Sequence, residues 1–537
     1  MGEKIWLKNY DPGVPHTLKL PDVNCHHLLE ERVRITPHGL AVTIMGMPTT
    51  YAELNARANR FARALQEMGI NRGERVAIIM GNSPSFVSCQ YGILKAGAVA
   101  VPVNPLYTGR ELSHVLADSQ ARLAVVLSLF ADNVQQIKDK TSLEKIIVVP
   151  IPGMDIPLPV GAVRLDDFSV GYSEENLDLD IDPTDTALVL YTGGTTGRSK
   201  GAALHHRSQV YAAHMMASLD PGMEASKDSF VLVNPLFHIM GNVIMTFCLH
   251  AGLPVHLVPQ YDPGLVLQTI HDMKPTWFPG VPTMFIGIMN HPEVRKFDLT
   301  SIRYCVSGAA PFPVEAMEKF EAITKCRVIE VFGLTESGSA IFFNPFVNPR
   351  KFGSIGLPTA DIDAKIVDME HGREEKGVNE IGELIVSGPP IMKHYLNMQE
   401  ETDDALREGW LYTGDIAKMD EDGFFWIVDR KKDMIVAGGF NIYPRDVDEV
   451  LHEHPDVAMA CAIGVPDPYR GETVKAFIVP LPGKVITEEE IIGFCRQRLA
   501  AYKVPKLIEF RESLPTSIIG KVLRKILREE ERNKREA

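Results

Sequence analysis

Tyr191-Thr192-Gly193-Gly194-Thr195-Thr196-Gly197-Arg198-Ser199-Lys200-Gly201 follows the apolar run Ala187-Leu188-Val189-Leu190. The run reads as a buried strand that delivers a donor-rich turn to the end of a sheet. Glycines let backbone N–H groups approach an anion closely, and Thr192, Thr195, Thr196 and Lys200 add hydroxyl and ammonium donors. The Walker loop needs Gly-Lys followed by Ser or Thr, whereas here Ser199 precedes Lys200 and Gly201 follows it. The stretch therefore implies a phosphate cradle of another build. A flexible surface turn is the competing reading, and the density of Gly, Thr and Lys directly after a buried strand argues against it.

Upstream, helix and strand signals alternate. Thr50 with Glu53 and Thr108 with Glu111 read as capping boxes, and Ser83 with Pro84 suits an N-cap and first helical position. Apolar runs at 75–80, 98–103 and 123–127 lie between these helices and predict parallel strands in repeated β-α-β units. Downstream, strands are expected at 230–233, 254–258, 276–278, 302–306 and 327–331. Three of their carboxyl ends carry unusual sequence: Asn234 to His238, Ser307 to Pro311 and Phe332 to Ser337. Ligands on doubly wound sheets bind at such ends. From Gly353 to about Val428 short β-type segments with Gly and Pro turns suggest a small barrel. A boundary is expected near Asp429-Arg430-Lys431-Lys432-Asp433, with domains at 1–430 and 431–537, the second holding another capping box at Thr487 and Glu490.

At 537 residues the chain is long for a single core. A formal net charge of −14 argues against a general nucleic-acid binder. Seven cysteines without C-x-x-C spacing point to a reduced, cytoplasmic setting with neither a zinc frame nor disulfides. The most apolar stretch, 242–258, is interrupted by His250, Gly252, Pro254 and His256, so no transmembrane segment is expected.

In this order the motifs resemble the adenylate-forming superfamily of acyl-CoA synthetases, adenylation domains and luciferases. The resemblance spans nearly the whole chain and is strongest to long-chain fatty-acid–CoA ligases. It is carried by Tyr191 to Gly197, by Trp410-Leu411-Tyr412-Thr413-Gly414-Asp415, and by Ile427-Val428-Asp429-Arg430-Lys431-Lys432-Asp433-Met434-Ile435. It implies an α/β fold: a large N-terminal domain of doubly wound, mostly parallel sheets with a small β-barrel subdomain, plus a small mobile α+β C-terminal domain. It also implies ATP, Mg²⁺ and coenzyme A as cofactors, a fatty acid or other carboxylate as substrate, and two half-reactions. A carboxylate first attacks the α-phosphorus of ATP and releases pyrophosphate; a thiol then attacks the acyl adenylate and releases AMP. The first step brings an anion to a polyanion, and an ion pair at 4 Å is worth roughly 4 kcal/mol at an effective dielectric of about 20.

Residue by residue, the resemblance gives the β- and γ-phosphates to the loop from Thr192 through Gly193, Gly194, Thr195, Thr196 and Gly197 to Lys200. It gives Mg²⁺ to Glu336, with Thr335 beside the α-phosphate. Ser307, Gly308 and Ala309 present backbone edges to adenine, and Phe332, before Gly333, stands where the family usually stacks a tyrosine on the purine. Asp415 is the ribose residue and Arg430 reaches ribose or phosphate. Lys521 is implied to be the adenylation lysine, Lys432 the hinge, and Gly438 and Gly439 the lining of a thiol tunnel. His238 resembles the carboxylate-side gate, and Ile239 to Met245 with Phe278, Gly280, Val281, Met284 and Phe285 read as an acyl tunnel or as core. Some relatives carry a tryptophan gate four residues after the histidine; this chain has Asn242 there. Medium-chain, cyclic or aromatic acids are the alternative substrates, and a non-catalytic nucleotide- or acyl-binding protein is the alternative of another class. A homodimer and a peripheral membrane contact stay open at this point.

Overall fold

Short side chains at helix starts do much of the local folding. Thr50 accepts from the Glu53 N–H while the Glu53 carboxylate accepts from the Thr50 N–H, and Thr108/Glu111 and Thr487/Glu490 repeat the box. These start the helices Tyr51–Glu67, Gly109–Ser119 and Glu488–Arg496. Ser83 caps Pro84–Lys95 by accepting from the Phe86 N–H. Losing such a cap typically costs about 0.5–2 kcal/mol. The computed structural model of the protein describes residues 4–192, 199–437, 440–468, 470–517 and 522–536.

Two large sheets organise the N-terminal domain. The first has eight strands in the order His394–Tyr395, Lys200–His205, Thr186–Thr192, Val99–Val103, Arg75–Ile79, Leu123–Leu127, Lys145–Val149 and Val163–Arg164. From Thr186–Thr192 onward neighbours run parallel. Both faces are covered by apolar packing: Val76 and Ile78 point into one core, while Ala77 and Ile79 point into another.

The second sheet has nine strands, with a parallel centre running through Arg327–Leu334, Tyr304–Ser307, Trp277–Gly280, Phe230–Leu232, Val255–Leu257 and Leu40–Ile44. Its edges are antiparallel. Phe230 and Leu232 join the core that also holds Val76 and Ile78, so one apolar layer serves both sheets. The strand Leu40–Ile44 and its hairpin partner Met47–Thr50 went unread in the sequence, although they close this sheet's far edge.

The segment where short β-elements suggested a barrel forms an antiparallel sheet in the order Asp363–Val367, Gly382–Ser387, Trp410–Met419 and Leu406–Arg407, with Phe425–Arg430 also on Trp410–Met419. No pairing among the described residues joins Asp363–Val367 to the other side of this sheet. The small C-terminal domain pairs Val457–Asp467 with Gly471–Pro480 over most of their length and adds Leu507–Phe510 in parallel. Helices Pro444–His452, Glu488–Arg496 and Arg524–Glu536 accompany this sheet, giving the α+β character expected of it.

Candidate active site

The carboxyl ends of four neighbouring parallel strands, Phe230–Leu232, Trp277–Gly280, Tyr304–Ser307 and Arg327–Leu334, share one edge of the second sheet. Ser307 is buried there, and its Oγ has no hydrogen-bond partner among the described residues. Ala309, two residues on, has φ of 67°, a left-handed conformation that costs a residue with a Cβ about 1–3 kcal/mol. A buried orphan hydroxyl and a strained backbone in one turn are features of a surface shaped for a ligand. Gly308 lies close to the next strand, since a Cβ there would come 3.1 Å from Val331 Cγ2. Phe332 meets Phe342 edge-on at 5.9 Å, and a bulge follows it. Gly333 is obligatory in this bulge, because a Cβ would sit 2.2 Å from the Ser339 carbonyl oxygen.

Thr335 and Glu336 stand in a hairpin turn. The Gly338 N–H donates to the Thr335 carbonyl at 3.0 Å, and the chain returns as the antiparallel strand Ser339–Phe343. The turn aims Glu336 at Tyr395, whose hydroxyl donates to Glu336 Oε1 at 2.7 Å. Lys200 Nζ lies 5.0 Å from the centroid of the same tyrosine ring. The quoted Gly-Thr stretch joins two strands of a hairpin, for Thr192 and Lys200 are cross-strand partners at its base. Tyr191 anchors that base by donating to Asp118 Oδ2 at 2.6 Å. Gly193, Gly194, Thr195, Thr196 and Gly197 lie outside the described residues.

Asp415 and Arg430, fifteen positions apart, are direct partners across the Trp410–Met419 and Phe425–Arg430 pair, with Arg430 Nε 3.3 Å from Asp415 Oδ1. Thr413 holds the approach by accepting from the Asp415 N–H at 3.1 Å and donating to the Leu384 carbonyl at 2.7 Å. Buried Glu383 accepts from the Gly414 N–H at 3.3 Å and from Lys431 Nζ at 2.8 Å. Asp429, whose carboxyl is raised above the usual range by burial, accepts the N–H of Arg445 at 2.8 Å from the first turn of Pro444–His452. Lys432 is exposed, and its carbonyl accepts from Arg528 Nη1 at 3.3 Å. Arg528 also meets Asp433 at 2.9 Å. Gly438, Gly439 and Lys521 lie outside the described residues, although Thr516 and Val522, on either side of Lys521, form an antiparallel bridge.

His238 caps the helix Ile239–Ala251, its Nδ1 accepting from the Met240 N–H at 3.3 Å. Burial lowers its pKa to about 4, so it is a neutral hydrogen-bonding group near pH 7. Met240 carries this helix to the strand-end turn, its Cε lying 3.9 Å from where a Gly308 Cβ would be. The segment expected to line an acyl tunnel divides between two cores: Val243, Ile244 and Met245 pack into one, and Phe278, Val281, Met284 and Phe285 into another. Phe285 packs against Phe278, Phe312 and Phe320, and its ring occupies the space a side chain at Gly280 would need. Asn242 turns to Gln90, the two buried amides exchanging hydrogen bonds of 2.7 and 3.2 Å. Among the described residues one further group could take a metal, His26 with His27 and Glu30, and there the buried ammonium of Lys95 already contacts Glu30.

Tyr395, Glu383 and Arg528 were missed by sequence reading. Each acts through a partner distant in sequence, and no local spacing announces it. Sequence motifs had singled out Lys200 and Glu336 separately, and the fold brings them to one tyrosine. It brings Asp415 to Arg430, and Ser307 and Gly308 to the strand of Phe332.

A strained strand-end turn, a glycine-threonine hairpin and an acid-base pair on a neighbouring sheet together define an α/β nucleotide-binding enzyme with a small C-terminal domain. The chain belongs to the AMP-binding enzyme family, whose model matches residues 29–396, while that of the AMP-binding enzyme C-terminal domain matches 446–521. It is 39% identical to a long-chain-fatty-acid–CoA ligase of Bacillus subtilis (strain 168) over 98% of each chain. It is 37% identical to one from Escherichia coli O6:H1 over 99% of each. A crystal structure of an anthranilate CoA ligase in complex with anthranoyl-AMP superposes with a TM-score of 0.88 at 28% identity, covering 97% of this chain and 99% of that one. No helix among the described residues is long and apolar enough to cross a membrane.

Proposed function

We propose that the protein is an ATP-dependent acyl-CoA synthetase acting on a long-chain fatty acid. The carboxylate attacks the α-phosphorus of ATP; the bond to the bridging oxygen breaks, and pyrophosphate leaves. The thiol of coenzyme A then attacks the acyl carbonyl, the mixed anhydride opens, AMP leaves, and the thiol proton passes to solvent. The observation that carries this reading is the convergence of Lys200 and Glu336 on Tyr395, which sets the base of the donor-rich hairpin beside a carboxylate at a strand end.

Lys200 offsets charge on the departing pyrophosphate. Glu336 suits a hard divalent cation, because one carboxylate oxygen is taken by Tyr395 and the other has no partner among the described residues. Bound there, Mg²⁺ supplies charge neutralisation at the phosphates. Ser307, with its orphan hydroxyl, and Gly308 and Ala309 face adenine; Phe332 stacks on it; Asp415 accepts from the ribose hydroxyls; and Arg430 turns to ribose or phosphate. Neutral His238 borders the carboxylate as a hydrogen-bonding wall. Lys521 bridges the incoming carboxylate and the α-phosphate. Residues 431–537 then pivot at Lys432, withdrawing Lys521 and bringing Gly438 and Gly439 to line the thiol path.

An aromatic acid is the second reading, favoured by the fold's match to an anthranilate CoA ligase and by the packed core around Phe285. The test is pyrophosphate release from purified protein, ATP and Mg²⁺ against a panel of long-chain, medium-chain and aromatic acids. Release should be strongest with the long-chain acids. Strongest release with an aromatic acid selects the second reading, and no carboxylate-dependent release at all overturns both.

A further inference from the structure

Lys200 and Glu336 carry opposite charges and both lie against Tyr395, and no ion pair joins them among the described residues. Left alone, such a pair would close on itself, removing the cation from one ligand group and the carboxylate from another. The ring of Tyr395 meets each on its own terms. Its electron-rich face receives the ammonium at 5.0 Å, and its hydroxyl donates to the carboxylate at 2.7 Å.

The tyrosine is itself held from several sides. His394–Tyr395 pairs with the Lys200–His205 strand, placing Tyr395 opposite Ala202. The Met392 N–H donates to the Glu336 carbonyl at 2.8 Å, and the Leu396 N–H donates to the Gly201 carbonyl at 2.7 Å. The segment 392–396 is thus stitched both to the hairpin of Lys200 and to the turn of Glu336. Tyr395 is buried, and its own N–H donates to Thr402 Oγ1 at 3.0 Å.

We propose that Tyr395 is a positioning residue that insulates Lys200 from Glu336, keeping the lysine available for nucleotide phosphate and one oxygen of the glutamate available for a divalent cation. The role rests on the reading that these two residues serve ATP and its cation. Phenylalanine would keep the separator and lose the donor. Leucine would lose both, and Lys200 would turn to Glu336.

The test uses the full chain and equilibrium ATP binding without acid or coenzyme A, measured once in EDTA and once with saturating Mn²⁺. In wild type, Mn²⁺ should tighten binding, and Lys200→Met should weaken binding in EDTA. Tyr395→Phe should bind ATP in EDTA within about twofold of wild type and lose about tenfold of the Mn²⁺-dependent gain, the scale of a hydrogen bond to a charged group. Tyr395→Leu should weaken binding in both conditions, and adding Lys200→Met to it should cost nothing further, since the lysine is already sequestered. The inference is overturned if Tyr395→Phe keeps the full Mn²⁺ gain, or if Lys200→Met costs as much in the leucine background as in wild type. Should the leucine variant not fold, the phenylalanine variant alone decides. A wild type indifferent to both Mn²⁺ and Lys200→Met would instead sink the reading of the site beneath it.

Discussion

Two acid-base pairs stand in the catalytic region, and the fold treats them oppositely. Asp415 and Arg430 face each other across an antiparallel pair and touch directly, with Asp415 Oδ1 3.3 Å from Arg430 Nε. Lys200 and Glu336 come from two different hairpins and meet only through the two ends of a tyrosine. A pair already closed can hold a neutral ligand by sharing hydrogen bonds, as ribose hydroxyls require. A pair held open keeps full charges for charged ligands. On the proposed function, the first pair takes the sugar and the second takes phosphate with its cation, and the charge that joins carboxylate to phosphorus is left to Lys521.

The largest expected effect tests that last point. Lys521→Ala should slow adenylation by about 10²–10³-fold, the range for losing a preorganised transition-state charge, and leave thioester formation from supplied acyl adenylate nearly intact. Equal loss of both half-reactions would place the decisive charge inside one of the two pairs and break the division. Next in size is Asp415→Asn. It leaves the partly exposed Arg430 without its carboxylate and weakens the ribose bonds, so KM for ATP should rise about 10–30-fold, as for lost charged hydrogen bonds, with kcat changed less. A fall in kcat with KM unchanged would show Asp415 acting on the reacting atoms.

Both members of each pair were visible in motifs, but neither contact was read: Asp415 and Arg430 were singled out one by one, although a single hairpin joins them. Capping boxes at Thr50, Thr108 and Thr487 were legible because partners three residues apart report on themselves. Glu336 and Lys200 were each visible in a motif, but Tyr395 sits in Lys393-His394-Tyr395-Leu396, where no periodicity or turn signal marks it. The same limit hid the reciprocal Gln90–Asn242 bonds, and it let the buried Phe285 cluster read as either a tunnel wall or core. Residues that act on neighbours across the fold leave a local pattern only when the connection between them is short.

Acid should separate the two regions by a smaller margin. Burial lowers His205, His206, His238, His250 and His256 to about 4 from an ordinary 6.5. The unfolded chain therefore takes up these protons at higher pH than the folded one, and stability falls as pH drops from about 6.5 to about 4. Burial raises Glu330 to about 7 and Asp448 to about 6, which stabilises the fold over part of the same window, but the histidines are more numerous. Tm should fall through this window. His205 ends the strand of Lys200 and caps the next helix by accepting the Ser208 N–H at 2.8 Å, while Trp410–Met419 and Phe425–Arg430 contain no histidine. Hydrogen exchange at pH 5 should accordingly quicken around Lys200 before it does around Asp415. Equal acceleration in both would remove acid sensitivity from the comparison.

The smallest effect concerns the chain just beyond the closed pair. Arg430 is followed within two residues by Lys432, whose carbonyl is held by Arg528, as is that of Asp433, while Asp433's carboxylate pairs with the same guanidinium at 2.9 Å. Arg528 therefore clasps the proposed pivot to the C-terminal helix Arg524–Glu536, a bond that the pivot must keep or exchange as residues 431–537 turn. The guanidinium is about one-third exposed, so the clasp contributes at most about 1 kcal/mol, and Arg528→Ala should shift the ratio of thioester formation to adenylation by at most about fivefold with little change in Tm. Stopped-flow measurement of the two half-reactions separately would show it. If only one rate moves, the clasp favours one orientation of the small domain, and Arg430, two residues away, links the closed pair to that choice. If both rates fall together, Arg528 merely steadies the chain, and the pivot's bias must come from the Asp429–Arg445 contact on its other side.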